Sequence, residues 1–521
     1  MDRNTILAIA LAMLVLILYQ SVFVVPKREA MLKNAQVNAE PPSPPISIQK
    51  TTLQNIKEEI TILKTTKLII ELSDMGGSLH NIEIVGDEKT FPLGNMLTIQ
   101  GFGQVPFTLT SHDDKTAVYN YSDSEWKIVK RFNIGDGRDS SILKVSIDIT
   151  NLKDISRLES LKFNTIAIDT VTQNPNTNKN AMLNEFSIME NNKIYRKGNA
   201  YKFNNKDNKI SFGSVTWAGF RNQYHMVIVK PEFETKAYET QVVADNKLNI
   251  NVQAKETQLK AGQTVTYSFN VVSGDQDIQW LRSFHQGYEK IVAFSNWGVI
   301  DFIAKTIYYT VPILHAVFRS WGFAIIFISL IIYALTYPLT IKSMTSMKKM
   351  QTTQPKVAAL QKRYKDDPKK LNAEMVELYR REGVNPLGGC LPFLLQMPIF
   401  IGLYQVLWRA YYFQGKGFLW IKDLAQPDRL IILPFNLPLL GNEFNILPIL
   451  MAGVMFLQQN LSAKNMIVTD ESQAMQQKMM RYFFPLFIGF IFYHFASGLS
   501  LYFTVFYALS TWTQWKMAKA K

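Results

Sequence analysis

Between residues 320 and 515, four uncharged runs are separated by charged segments, of which 342–384 is rich in lysine and arginine, and this alternation constrains the fold more than any single motif. Residues 320–341, 389–408 and 444–463 each suit one helix crossing a hydrocarbon core of ~30 Å. The fourth run, 482–515, would make a single helix about 50 Å long at ~1.5 Å per residue, which no bilayer accommodates. It is expected to break at Ala496, Ser497 and Gly498, giving spans at 482–495 and 498–515. The run RLIILPFNLPLLGN, residues 429–442, is too short and too interrupted by proline to span, and is expected to be an interfacial loop.

The amino-terminal end adds another apolar run, TILAIALAMLVLILYQSVFVV. A cleaved signal peptide and a retained anchor both begin this way. The run exceeds the ~7–15 residue core of a signal peptide and no small-x-small site precedes Lys27, which favours an anchor over residues 1–26. Pro41, Pro42, Pro44 and Pro45 then mark a linker, 27–51.

Six spans satisfy parity. They put residues 342–384, residues 464–481 and the tail 516–521 on one side, together with the amino terminus. The first of these segments carries Lys342, Lys348, Lys349, Lys356, Lys362, Arg363, Lys365, Lys369, Lys370, Arg380 and Arg381, and the tail carries Lys516, Lys519 and Lys521. Cations collect in cytoplasmic loops, so both termini are expected in the cytoplasm. Five spans would put the basic tail outside. Lys27 and Arg28, on the outer side of the first span, run against this bias locally. The same placement accounts for most of the formal charge of +14 without nucleic acid, for which no helix-turn-helix or RNP-like motif speaks.

Residues 52–290 read differently. Short alternating runs such as SILKVSIDITNL and TVTYSFNVVS, divided by Gly, Asn and Asp, predict a large antiparallel β-sandwich. Residues 273–319 read as helical. Val299, Ile303, Ile307, Val311, Leu314 and Phe318 recur there at steps of three and four, with Asp301, Lys305, His315 and Arg319 largely off that stripe. The stripe fits a helix over 291–319 lying in the membrane interface, or one packed on the β-domain, and Pro312 is expected to bend or restart it. Between residues 342 and 384, Asp366, Asp367 and Pro368 signal an N-cap inside a helical hairpin. That hairpin is either a solvated basic connection or a docking surface.

Few features carry chemistry. The single cysteine, Cys390, excludes an intramolecular disulfide framework and a cysteine-based zinc cluster. His80, His112, His225 and His285 show no metal-ligand spacing, and no nucleotide loop or catalytic triad is present, so no cofactor, metal or enzymatic reaction is expected. The informative residues are polar side chains in apolar helices, where each unsatisfied group is costly. Ser329, Tyr333, Thr336 and Thr340 form one stripe. Ser500, Thr504, Tyr507, Thr511 and Gln514 form another, and Gln396 adds an amide. Ordinary helix packing explains any single Ser or Thr, whereas two continuous stripes fit helices that share a wet groove.

These residues resemble the YidC insertases of the Oxa-type superfamily. The resemblance runs through essentially the whole chain and is most specific at YPLT from Tyr337 with the following SMKKMQTTQPK. It is equally specific at VNPLGGCLPFLLQMPIFIGLY from Val384, LWIKDL from Leu419, LPILM from Leu447 and SGLSLYF from Ser497, and weaker at WAGFRNQYH from Trp217. It implies a periplasmic β-supersandwich, an interfacial helix and a five-helix core over 320–515 in the bacterial inner membrane. In that picture a hydrophilic groove takes the polar tail of a nascent membrane protein while the client's apolar segment slides along the third and fifth spans into lipid. The implied client-binding residues are Ser329, Tyr333, Thr336, Thr340, Gln396, Ser500, Phe503, Thr504 and Tyr507. The implied partners are client proteins, membrane lipid, the Sec translocon, and the ribosome at the basic hairpin (Lys348, Lys349, Lys356, Lys362, Arg363, Lys365) and tail.

One position departs from the family pattern. Members usually carry arginine four residues before the tyrosine of YPLT, and here that residue is Tyr333. Tyrosine keeps a hydrogen-bonding tip but no fixed charge. Lys342 stands about 13 Å nearer the cytoplasm by helix rise, at the groove mouth. Two other architectures would leave different marks. A polytopic transporter predicts internal repeats and paired intramembrane ions, which the sequence lacks. A membrane-anchored periplasmic carbohydrate-binding protein requires a carboxylate or histidine cluster in the β-domain.

Overall fold

The computed structural model describes residues 58–86, 91, 93–169, 185–198, 209–244, 247–364, 367–384, 391–437, 440–463 and 471–519. The expected anchor and linker, Lys365 and Cys390 lie outside these residues. The chain divides into two compact units, Met1–Val292 and Ala293–Lys521.

The first unit is built from alternation. Along Trp126–Ile134 every second residue is buried, namely Trp126, Ile128, Lys130, Phe132 and Ile134, and Ile142–Asn151 buries Leu143, Val145, Ile147 and Ile149 in the same way. The strands form a nine-stranded antiparallel sheet in the order Lys193–Gly198, Glu185–Glu190, Val215–Arg221, His225–Pro231, Thr264–Asp275, Ile142–Asn151, Trp126–Ile134, Thr116–Ser122, Thr108–His112. A five-stranded sheet, Lys209–Phe212, Thr235–Ala244, Lys247–Ala254, Lys162–Asp169 and Thr98–Ile99, packs on it. Phe163 of the smaller sheet meets Tyr267 and Phe269 of the larger at ring separations of 5.1 and 5.3 Å. This is the expected β-sandwich. Lys130 points into its core and donates to the carbonyls of Gly76 (2.7 Å), Leu97 (2.8 Å) and Gly77 (3.1 Å), while burial pushes its ammonium down to about 7.

Residues 273–297 are helical only in part. Thr264–Asp275 is a strand, paired with both His225–Pro231 and Ile142–Asn151. Asp277 then caps a short helix α1, Ile278–Ser283, by accepting from Gln279 and Trp280 N–H, and a 3-10 turn follows at Tyr288–Ile291. The physical reason is coverage. The large sheet is apolar on its outer face also, through Trp217, Met226 and Ile228, and Tyr288 packs on Trp217 at 6.0 Å.

The second unit is helical: α2 Gly298–Phe318, α3 Trp321–Arg363, α4 Pro368–Arg381, α5 Leu391–Arg409, α6 Leu447–Ala463, α7 Glu471–Lys478, α8 Phe484–Phe492 and α9 Ser497–Lys519, with a π-helical turn Met479–Phe483 ahead of α8. Among the described residues one helix stretch, Trp321–Ser346, is long and apolar enough to cross a membrane, and Met479–Phe492 is a shorter apolar stretch. α3 does not stop where its apolar run ends but continues through Pro338 and Pro355 into the basic segment. Asp367 accepts from Lys370 N–H at 3.0 Å with Pro368 at the first helical position, so α4 starts on the predicted cap.

Two further expectations change. The buried face of α2 is Ile300, Ala304, Ile307, Tyr308 and Val311, whereas Val299, Phe302, Ile313 and Val317 are exposed. The helix is apolar on both faces, so periodicity alone did not set its rotation, and it runs through Pro312. It packs on its own unit: Tyr412 donates to Tyr308 O at 3.1 Å and Arg409 to Ala293 O at 3.3 Å. The expected loop at 429–442 is instead a two-stranded hairpin, Ile431–Leu437 with Gly441–Phe444. Strand pairing satisfies backbone groups that an irregular loop would leave open.

A buried network holds the hairpin's base. Asp428 accepts from Ile446 and Leu447 N–H at 3.0 and 2.9 Å and from the Trp420 indole at 3.3 Å, capping the start of α6. Asn445 accepts from Arg429 N–H at 2.8 Å and donates to Tyr493 O at 2.9 Å; Tyr493 in turn donates to Glu443 O at 2.7 Å.

Candidate functional site

The α3 stripe, Ser329, Tyr333, Thr336 and Thr340, is buried within the helical unit. Three of its hydroxyls are spent locally. Ser329 donates to Ile325 O (2.6 Å), Thr336 to Ile332 O (2.9 Å) and Thr340 to Thr336 O (3.0 Å), the back-bonding open to Ser and Thr inside helices. Tyr333 is long enough to leave its own helix. Its hydroxyl donates to Thr513 Oγ1 on α9 at 2.6 Å and lies 3.3 Å from Leu509 O, and its ring meets Phe506 edge-on at 5.5 Å.

α9 is the hub of the polar contacts. Besides Tyr333–Thr513 to α3, Gln396 of α5 donates to Tyr502 OH at 2.8 Å. From α6, Gln458 donates to Ser510 Oγ at 2.7 Å and Ser462 to Gln514 Oε1 at 3.0 Å. Each bond joins side chains of two helices, so α9 is tied to α3, α5 and α6 by groups with hydrogen-bonding capacity left over.

The expected α9 stripe is divided between tasks. Thr504 donates to Ser500 O and Thr511 to Tyr507 O, both at 2.7 Å. Ser500 is fully buried, and its hydroxyl has no hydrogen-bond partner among the described residues. Phe503 sits in an aromatic cluster with Phe400, Phe492 and Tyr507 at 5.4, 5.1 and 5.8 Å. Among the described residues no hydrogen bond joins Ser329, Thr336 or Thr340 to Ser500, Thr504 or Tyr507. At ~100° per residue, Tyr502 and Thr513 lie on the opposite face of α9 from Ser500, Thr504 and Tyr507. Thr513, Ser510, Tyr502, Gln458 and Ser462 are not among the residues that the polar stripes single out. Gln458 and Ser462 stand four residues apart in an apolar run, and that spacing was the available signal.

At the basic end, Lys349, Lys362 and Arg363 are exposed, and Lys348 precedes Lys349 on α3. Lys356, also exposed, pairs with Glu382 at 2.6 Å. On α9, Lys516 and Lys519 lie over Trp512 and Trp515, each 3.9 Å from the ring centroid. No group of three or more His, Cys, Asp or Glu among the described residues is placed to hold a metal. In the β-domain a surface cleft is lined by Ser214, Thr216, Lys230, Phe233, Glu234, Lys236 and Lys255. Its lysines pair with Glu232, Glu256 and Glu234 at 3.0, 2.9 and 2.8 Å.

Residues 313–521 match the family model described as 60Kd inner membrane protein, and residues 103–310 match that of the YidC periplasmic domain. Membrane protein insertase YidC of Chlorobaculum parvum is 33% identical over 61% of this chain and 54% of its own length. The protein of the same name from Endomicrobium trichonymphae is 29% identical over 86% of this chain and 82% of its own length. At about one-third identity, the chain spans about half the length of the curated relatives it matches. A crystal structure of an active YidC insertase with its first transmembrane domain resolved is 19% identical, covers 88% of this chain and 94% of its own, and superposes with a TM-score of 0.36. The two family models follow one another along the β-domain and the helical unit, the curated relatives share one name, and the chain belongs to the YidC family.

Proposed function

We propose that this protein is an insertase and chaperone for membrane proteins of the bacterial inner membrane. It has six spans, the β-domain in the periplasm and both termini in the cytoplasm, and it works by binding and partitioning rather than by catalysing a covalent step. The observation that carries the reading is the convergence on α9 of side-chain hydrogen bonds from α3, α5 and α6. A client tail that must enter hydrocarbon leaves each polar group unpaired at a cost of several kcal/mol. Hydroxyls and amides that already bond across helices can exchange one partner for another, so client groups stay paired in transit. Of the nine expected groove residues, Tyr333 and Gln396 supply two of these bonds, Tyr333 as a hydrogen-bonding rather than a charged element, while Ser500, Thr504 and Tyr507 lie on the other face of α9. The exposed apolar side chains of α8, Leu486, Phe487 and Phe490, suit the lipid-facing slide of the client's span. Met479–Phe492 is roughly 20 Å long by helix rise, short of a ~30 Å core, which favours local thinning of the bilayer. The exposed cations near Lys349 and Lys362, with the tail, are the docking surface for the ribosome, and the Sec translocon is a further partner.

The test is insertion of a short single-span client with an acidic amino-terminal tail into proteoliposomes containing only this protein, scored by protease protection. Protection above that of empty liposomes is the expected result. Its absence, with the protein folded and correctly oriented, removes autonomous insertion from the reading.

A further inference from the structure

The hairpin Ile431–Phe444 does something that its place as a connection between α5 and α6 does not require. Ile431, Ile432 and Phe435 are 55, 66 and 58% exposed, and Pro434 is exposed with them. Adjacent strand residues point to opposite faces, so Ile431 and Ile432 put an exposed apolar side chain on each face, beside the uncharged Asn436 and Asn442, and the helical unit covers neither side chain. An isolated two-stranded hairpin is at best marginally stable in water, and a sheet with one wet face normally alternates apolar with polar residues. No charge occurs between Leu430 and Asn442. The flanking charges, Arg429 and Glu443, pair with each other at 2.8 Å across the hairpin's base.

What covers such an element follows from its surroundings. The base is pinned to the start of α6 through Asp428 and Asn445, and the first turns of α6 continue the apolar surface with exposed Ile449 and Leu450. Leu419 (75% exposed) and Trp420 flank the base, and Trp420 bonds to Asp428. This end of the unit is the one opposite the lysine-rich ends of α3 and α9, since Ser497 and Gly498, which open α9, bond to Gln426 and Leu424 at 2.7 and 2.9 Å. A partner laid on one face would leave the apolar side chain of the other in water, whereas lipid covers both.

We propose that this hairpin is immersed in the outer leaflet of the membrane, a lipid-binding wedge with its Arg429–Glu443 base at the headgroups and Ile431, Ile432 and Phe435 among the upper acyl chains. The proposal rests on the reading of α3 as a membrane span. Depth is limited by the backbone, because open strand edges are not tolerated in the hydrocarbon centre, whereas the headgroup boundary still supplies water. Trp420 suits the interfacial belt where amphipathic rings collect. The immersed hairpin anchors the outer end of α6, and through Asn445 and Tyr493 the α8–α9 turn, at a fixed height.

The test places an environment-sensitive fluorophore on single cysteines in a Cys390→Ser background of the full chain. The sites are Ile432→Cys and Phe435→Cys in the hairpin, Leu335→Cys on the exposed face of α3, and Thr110→Cys on the β-domain as a water reference. In vesicles containing spin-labelled lipids, positions 432 and 435 are expected to emit to the blue. They should be quenched more by a label near the headgroup than by one at the chain end, and little by aqueous iodide. Iodide quenching at 432 and 435 equal to that at 110, with 335 still quenched by lipid, overturns the wedge and leaves the span standing. Absence of lipid quenching at 335 overturns the span and the wedge with it. Blue emission that lipid labels do not quench and that falls on dilution into excess lipid assigns the hairpin to contact between copies and overturns the wedge as well.

Discussion

Tyr333 on α3 donates its hydroxyl proton to Thr513 on α9 at 2.6 Å, a cross-helix bond between two residues 180 positions apart. Side-chain bonds between membrane helices average about 0.6 kcal/mol in double-mutant cycles. The cycle Tyr333→Phe, Thr513→Val and the double variant, followed by unfolding in mixed micelles, is expected to give a coupling of about that size. Zero coupling means that the bond is not made in the membrane. Tyr333→Arg is expected to raise insertion of clients with acidic tails and to make that gain sensitive to salt, because it adds fixed charge where the native residue offers only a hydroxyl.

Gly498 and Gly453 form a contrasting pair. A Cβ on Gly498 would lie 3.0 Å from Ile325 Cδ1 and 3.1 Å from both Leu407 Cδ2 and the Leu424 carbonyl, so α3, α5 and a loop close on α9 only because no side chain intervenes. Gly498→Ala is expected to destabilise the helical unit by about 1–3 kcal/mol. A Cβ on Gly453 of α6 meets nothing within 4 Å, and Gly453→Ala is expected to stabilise by about 0.5–1 kcal/mol through helix propensity. Thermal unfolding of the two variants side by side checks both signs.

Lys130 gives the β-domain a pH dependence. Its folded pKa lies near 7, below the ordinary lysine value, because burial disfavours the ammonium. Below about pH 7 both folded and unfolded forms are protonated and the group contributes no slope. Between about 7 and 10 the unfolded chain binds more protons, so stability rises with pH over that window. Thermal midpoints of the β-domain from pH 6 to pH 10 are expected to show this rise, and Lys130→Met to flatten it.

Asp428 holds two N–H groups at the start of α6 and the Trp420 indole. Asp428→Ala is expected to cost about 0.5–2 kcal/mol, the usual worth of an N-terminal cap, with Asp428→Asn closer to the native value. Faster amide exchange at Ile446 and Leu447, confined to that end of α6, is the local signature.

Local chemistry was legible in the chain itself. Alternation along Trp126–Ile134 and Ile142–Asn151 announced the β-sandwich because a half-buried strand must present every second side chain to the core. Asp367 and Pro368 announced the start of α4 because a cap is a contact over three residues. Where two faces of an element were equally apolar, periodicity had nothing to choose between. The rotation of α2, with Ile300 buried and Val299 exposed, was settled by the helices beside it, and the strand Thr264–Asp275 by the two strands it joins.

The sequence by itself determined which segments are apolar, where charge collects and which helices carry buried hydroxyls. Tertiary structure alone decided the partners of those hydroxyls. A threonine's back-bond lies within one turn and is implicit in the helix, but whether Tyr333 meets Thr513 or Ser500 depends on where α3 crosses α9, and that crossing is fixed by packing among residues far apart in the chain, including the missing side chain of Gly498.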